Sequence, residues 1–110
     1  MRNLTFPAVF LSAACLLIPF STAHAAGDVQ AGAEKAYTCT GCHGIPGYNN
    51  VYPTYKVPKI GGQNYEYLVA ALKGYRDGER EHSTMELQAQ SLSDSDIENV
   101  SAYFASLGEK

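Results

Sequence analysis

Cys39-Thr40-Gly41-Cys42-His43 is the stretch on which the reading of this chain turns. Thiols at i and i+3 and an imidazole at i+4 share one face of a single helical turn. Thiols so placed can form thioether bonds to the two vinyl groups of a haem, and the adjacent imidazole is then held under the iron. In a chain headed for export, that spacing reads as covalent c-type haem attachment. Other uses of such a pair fit less well. A redox dithiol wants a βαβ setting, and the surroundings show no strand alternation. Zinc wants four ligands, and outside the pentapeptide the chain offers only Cys15, His24 and His82. A disulfide across two intervening residues would be strained and would leave His43 unexplained.

Upstream, the sequence opens Met1-Arg2, runs apolar from Leu4 to Phe20, and continues Ser21-Thr22-Ala23-His24-Ala25-Ala26. A basic start, an apolar middle and small residues at Ala23 and Ala25 describe a secretory leader, with cleavage after Ala25 or, as second choice, after Ala26. Residues 1–25 are therefore expected to be removed and 26–110 to form one domain of about 85 residues. Pro7 and Pro19 punctuate the apolar run, which argues against an uncleaved anchor. Cys15 sits inside that run, a poor setting for lipidation.

The 110 residues carry 8 basic and 11 acidic side chains, a formal charge of −3. Loss of Arg2 with the leader leaves 7 basic against 11 acidic, or −4. With no basic cluster, nucleic acid is not an expected partner. A domain this small buries a modest core and gains from a staple, which an apolar haem plate at its centre would provide.

Within the domain, Asp28 is placed to cap a helix running through Ala31, Gly32, Ala33, Ala36 and Tyr37 into Cys39. Gly44 to Gly62, with Pro46, Pro53 and Pro58, reads as a long loop that needs a surface to pack on. Asn64 opens a helix whose Tyr65, Leu68, Leu72 and Tyr75 form one apolar stripe, and Asp77-Gly78 ends it. Glu79 to Thr84 reads as loop. Met85 to Gln90 reads as a short helical turn with Leu87 facing in. Ser93 and Asp96 form a variant capping box for the last helix, which carries Ile97, Val100, Phe104 and Leu107 on its inner face. Gly108 stands where a C-terminal cap belongs. The expected fold is all-α, with three main helices.

An iron held by His43 has one axial position left. Met85 is the sole methionine beyond Met1 and lies in a polar stretch rather than on an apolar helical stripe. A thioether is a soft iron ligand, and Met85 is the expected one. His82, three residues earlier, is the competitor, and an open site that binds small molecules is the third possibility.

Taken together, the haem motif near the front and Met85 before a final amphipathic helix resemble the class I cytochromes c, the small soluble bacterial monohaem kind above all. Gly27-Asp28-Val29-Gln30-Ala31-Gly32, Pro58-Lys59-Ile60-Gly61-Gly62, Arg76-x-Gly78-x-Arg80 and Leu92-Ser93-Asp94 carry the likeness beyond the haem motif. The resemblance implies the class I cytochrome c fold around one covalent haem c and its iron. It implies Cys39 and Cys42 as thioether anchors, and His43 and Met85 as iron ligands. It implies Pro58 and Ile60 against the haem on the His43 side, with the Pro58 carbonyl accepting a hydrogen bond from the His43 ring. The loop from His43 to Pro58 is long and holds Tyr48, Tyr52 and Tyr55, so Pro53 is an alternative for that carbonyl. Its tyrosines are candidates for covering a haem edge or for docking. Gly32 is implied at the crossing of the first and last helices, facing Tyr103 or Phe104.

The function so implied is a periplasmic electron carrier, not an enzyme, working as a monomer without stable membrane insertion. Its partners would be membrane or periplasmic redox proteins met through a small transient interface. The alternatives are a ligand-binding or peroxidase-like haem protein and a haem-bearing subunit of a larger redox enzyme.

Overall fold

The computed structural model describes residues 27–108. The expected leader, Cys15, and cleavage after Ala25 or Ala26 lie outside the described residues. Helix α1 spans Val29–Lys35 and begins where expected: the Asp28 carboxylate accepts from the Ala31 N–H at 2.9 Å. It does not run unbroken into the haem motif. At Ala36 the backbone turns (ψ 0°), and a second helix, α2, takes up Tyr37–His43. The Ala36 carbonyl accepts from both Cys39 and Thr40, at 2.9 and 3.1 Å, which tightens the start of α2.

The loop expected over 44–62 contains a small antiparallel hairpin, β1 (Asn49–Val51) and β2 (Thr54–Lys56). Asn49 pairs with Lys56, Asn50 with Tyr55 and Val51 with Thr54. Side chains hold its turn: Asn50 Nδ2 donates to the Pro53 carbonyl at 2.7 Å, and Thr54 Oγ1 donates to the Val51 carbonyl at 2.9 Å. Strands of three residues are too short to show an alternation in sequence.

Helix α3 spans Tyr65–Asp77. Asn64 caps it through the Tyr67 N–H at 2.8 Å, and Gly78 ends it at φ 78°, a conformation suited to glycine. Helix α4, Ser83–Gln90, is longer than the turn expected and begins two residues before Met85. Leu87 does not face in: it is 70% exposed, and Ala89 is the buried residue of this helix. A single apolar leucine among polar neighbours carries too little periodicity to set a helix's orientation.

Helix α5, Asp94–Ser106, starts with the full reciprocal box, the Asp96 N–H donating to Ser93 Oγ and the Ser93 N–H to Asp96 Oδ2. Ile97, Val100 and Phe104 are buried, whereas Leu107 is half-exposed and caps the helix in place of Gly108. Gly108 instead lies against Gly62, whose N–H donates to the Phe104 carbonyl at 2.8 Å. That contact ties the segment after Pro58 to the end of α5.

Helix α1 crosses α5 at Gly32. A Cβ there would overlap the Asn99 carbonyl and press on the Tyr103 side chain. The Asp28 N–H adds a bond to Asn99 Oδ1 at 2.7 Å. Ala36, Leu68, Val100 and Phe104 form the buried cluster, with Cys39, Ile60 and Leu72 packed at its margin. Burying a Leu, Val or Phe side chain stabilises by roughly 1.5–3 kcal/mol. The fold is mostly helical, and its core is one-sided: that margin opens onto a cavity.

Candidate functional site

The cavity has a volume of about 270 Å³ and takes its walls from α2, β2 with the segment after it, α3, α4 with the residues before it, and α5. Helix α2 contributes Cys39, Cys42 and His43. The segment after the hairpin contributes Pro58 and Ile60, α3 contributes Leu68 and Leu72, α4 contributes Met85, and α5 contributes Val100 and Phe104. All six site residues named from the sequence therefore border one space.

Both thiols are free, Cys39 half-buried and Cys42 exposed. Burial pushes the Cys39 thiol above its ordinary value, with a bond from Thr38 working the other way. His43 closes α2, and its Nδ1–H donates to the Pro58 carbonyl at 2.7 Å. That bond sets the tautomer and leaves Nε2 as the nitrogen free for a metal. The Pro53 carbonyl is taken by Asn50 within the hairpin turn, and Pro53 does not line the cavity.

Met85 lies in the first turn of α4 and is half-buried. His82 lines the same cavity just before that helix. Its backbone N–H donates to Glu86 Oε1 at 2.7 Å, and its ring makes no capping bond. The ring stands edge-on to Tyr55, centroids 4.8 Å apart, and to Tyr75 at 6.4 Å. Its Nδ1 is buried without a hydrogen-bond partner. Of the three loop tyrosines, Tyr55 lines the cavity and exchanges a 3.0 Å hydrogen bond with Thr84, while Tyr52 is almost fully exposed.

Arg80, Tyr67 and Thr84 also line the space, and sequence reasoning gave them no role in the site. The one signal for Arg80 was its place in Arg76-x-Gly78-x-Arg80. Thr84 carried no local pattern, because its neighbours here come from elsewhere in the chain.

The residues fit a haem. Two unpaired thiols one helical turn apart match two vinyl groups, a pre-oriented imidazole and a thioether match an iron's axial needs, and apolar side chains supply the walls. Among the described residues no three His, Cys, Asp or Glu side chains gather where a bare metal ion could sit, so the in-plane donors would come from the cofactor.

Compared with known families, residues 29–108 match the family model for cytochrome c. The chain belongs to the cytochrome c family. Membership carries the cofactor, a covalently bound haem c with its iron, and the role of electron carrier. Cytochrome c-554(548) of Halomonas halodenitrificans is 43% identical over 84 residues, which cover 74% of this chain and 98% of that one. Cytochrome c4 of Pseudomonas aeruginosa is also 43% identical over 84 residues, covering 76% of this chain but 40% of its own length. In structure, reduced recombinant cytochrome c4 from Pseudomonas stutzeri superposes with a TM-score of 0.57 at 29% identity, over 76% of this chain and 52% of that one. The chain thus spans about half or less of the c4 proteins and nearly all of c-554(548).

Proposed function

We propose that this cytochrome is an exported one-electron carrier. In this reading Cys39 and Cys42 anchor the haem, His43 and Met85 ligate its iron, and Pro58 and Ile60 wall the His43 side. The observation that carries it is the bond from His43 Nδ1–H to the Pro58 carbonyl at 2.7 Å, made beside two free thiols on a cavity that Met85 also lines. A histidine held by its other nitrogen is a better-oriented and more basic ligand. When bound, the haem supplies an iron that cycles between ferric and ferrous states.

The protein's own part is to keep the ligands fixed and water away. His43 is locked by Pro58, and Met85 is carried on a helix packed against α3. With His43 and Met85 both holding the iron there would be no open site for a substrate, which favours a carrier over an enzyme. A thioether favours the ferrous state and raises the potential. Leu68, Val100 and Phe104 on the walls lower the local dielectric and exclude solvent. Residues 1–25 act as a cleaved leader, and the site of action is the periplasm. No helix among the described residues is long and apolar enough to cross a membrane. The monomer meets membrane or periplasmic redox proteins through small transient contacts, below about 1,200 Å².

Acid–acetone extraction of the denatured protein tests the anchoring. Haem should stay with the wild-type chain and be absent from Cys39→Ala/Cys42→Ala. Haem that extracts freely from the wild type refutes the reading.

A further inference from the structure

Met85 sits on a helix that holds its own start weakly. Among the described elements α4 packs on α3 alone, and Ala89, one turn beyond Met85, is its buried residue. His82 stands at the cap position without a side-chain bond to the first turn, which leaves that turn free to fray. The local tie there, Glu86 Oε1 accepting from the His82 N–H at 2.7 Å, satisfies a group just outside the helix and not the unpaired N–H groups of the turn. We propose that Tyr55 is a positioning residue for the Met85 ligand: reaching over from the hairpin, it clasps the start of α4 and keeps the second axial position of the iron closed. The proposal rests on the reading that Met85 ligates the haem iron.

The clasp has two parts. The Tyr55 hydroxyl shares a half-buried 3.0 Å hydrogen bond with Thr84 Oγ1, and the Tyr55 ring meets the His82 ring edge-on at 4.8 Å. Thr84 directly precedes Met85 and His82 lies three residues before it, so both contacts fall where the thioether's helix begins. The hairpin backbone makes no close approach to α4, so the tie is this one side chain.

The other end of the clasp is firm. Tyr55 pairs with Asn50 across the ladder, and these two are the half-buried residues of a hairpin whose other strand positions are exposed. Val57, just after β2, is buried, and its N–H donates to the Tyr48 carbonyl at 3.0 Å. On α3, Tyr75 also meets the His82 ring edge-on, at 6.4 Å. The start of α4 is thus held from the hairpin and from α3 together. The rival reading gives the benefit to the hairpin alone: α4 would steady Tyr55, and ligand exchange at the iron would not sense the bond.

The test measures imidazole binding to the ferric holoprotein, where the added ligand must take the place of Met85. One hydrogen bond shifts a local equilibrium by roughly 2–12-fold. Tyr55→Phe keeps the ring and Thr84→Val keeps the shape, and each should raise imidazole affinity by that factor. Before imidazole is added, both should retain the sulfur–iron charge-transfer band. The double variant should gain no more than the larger single effect, because both changes break the same bond. Ser93→Ala removes a cap from α5 outside the cavity lining and is the control for general softening: Tm should fall while imidazole affinity stays at the wild-type value. Unchanged affinity in both single variants overturns the proposal. So does an equal gain in Ser93→Ala, or effects that add in the double variant. A wild type without the sulfur–iron band would instead remove Met85 ligation itself, so the two failures are told apart.

Discussion

Gly32→Ala tests the helix crossing that holds the front of the haem motif to the last helix. Helix propensity alone predicts stabilisation, because alanine is better than glycine in a helix by about 1 kcal/mol. The packing predicts the reverse. A Cβ at Gly32 would overlap the Asn99 carbonyl and crowd the Tyr103 Cβ, and the obstructing atoms are mainly backbone. No rotamer change relieves that overlap, so α1 must move off α5, straining the bond from Asp28 N–H to Asn99 Oδ1. Overpacking of this kind costs about 1–3 kcal/mol, sometimes more, and rigid backbone on both sides points to the upper end. Setting roughly 3 kcal/mol against the propensity gain of about 1 leaves a net loss near 2 kcal/mol. For a domain of this size, that lowers Tm by roughly 8–16 °C. Gly41→Ala is the control: it lies in α2, and a Cβ there meets nothing within 4 Å. It should be neutral or stabilising, by up to about 1 kcal/mol. Thermal unfolding of the three holoproteins, followed by circular dichroism at 222 nm, reads both signs. A Gly32→Ala midpoint equal to or above the wild type would refute the close approach.

Chain without either thioether, Cys39→Ala/Cys42→Ala, should show much reduced helicity by far-ultraviolet circular dichroism, because the inner faces carrying Leu68, Leu72, Val100 and Phe104 then border a void. A sharp cooperative transition in that apoprotein would mean the helices pack adequately alone. The carboxyl of Asp96 is held below the usual range, first by the Ser93 backbone N–H and then by the Ser93 hydroxyl. A lowered folded pKa gives stability that is complete above the unfolded value of about 3.9 and is lost as pH falls through the lower folded value. The Tm gap between wild type and Asp96→Asn should therefore close below about pH 4, and a gap constant from pH 7 to pH 2 contradicts this. Intact-mass measurement of the exported protein should give an N-terminus at Ala26 or Gly27, and a retained leader would favour an anchor.

Legibility followed how local each cause is. Cys39, Cys42 and His43 stand out because covalent chemistry dictates their spacing. Asp28, Asn64, Gly78 and the pair Ser93 and Asp96 mark helix ends because a cap is satisfied within three residues. The hairpin was hidden because it pairs polar Asn49 and Asn50 with Lys56 and Tyr55 over three-residue strands. The break at Ala36 was hidden because alanine is an excellent helix former, and its geometry reflects tertiary packing. Helix α4 has mostly polar residues, so neither its start at Ser83 nor the outward face of Leu87 could be read. Tyr55 reaches the His82 ring from the hairpin, and a contact across that much chain leaves no local trace.

The near-infrared spectrum of the ferric holoprotein tests the central claim most directly, since it reports which atom sits opposite His43. The wild type should show the long-wavelength sulfur–iron charge-transfer band, and reduced protein should resist carbon monoxide. Met85→Ala should lose the band, fall in potential and bind exogenous ligands, while His82→Ala keeps the band. A wild-type spectrum without that band, or ligation properties that survive Met85→Ala and vanish in His82→Ala, would contradict the account.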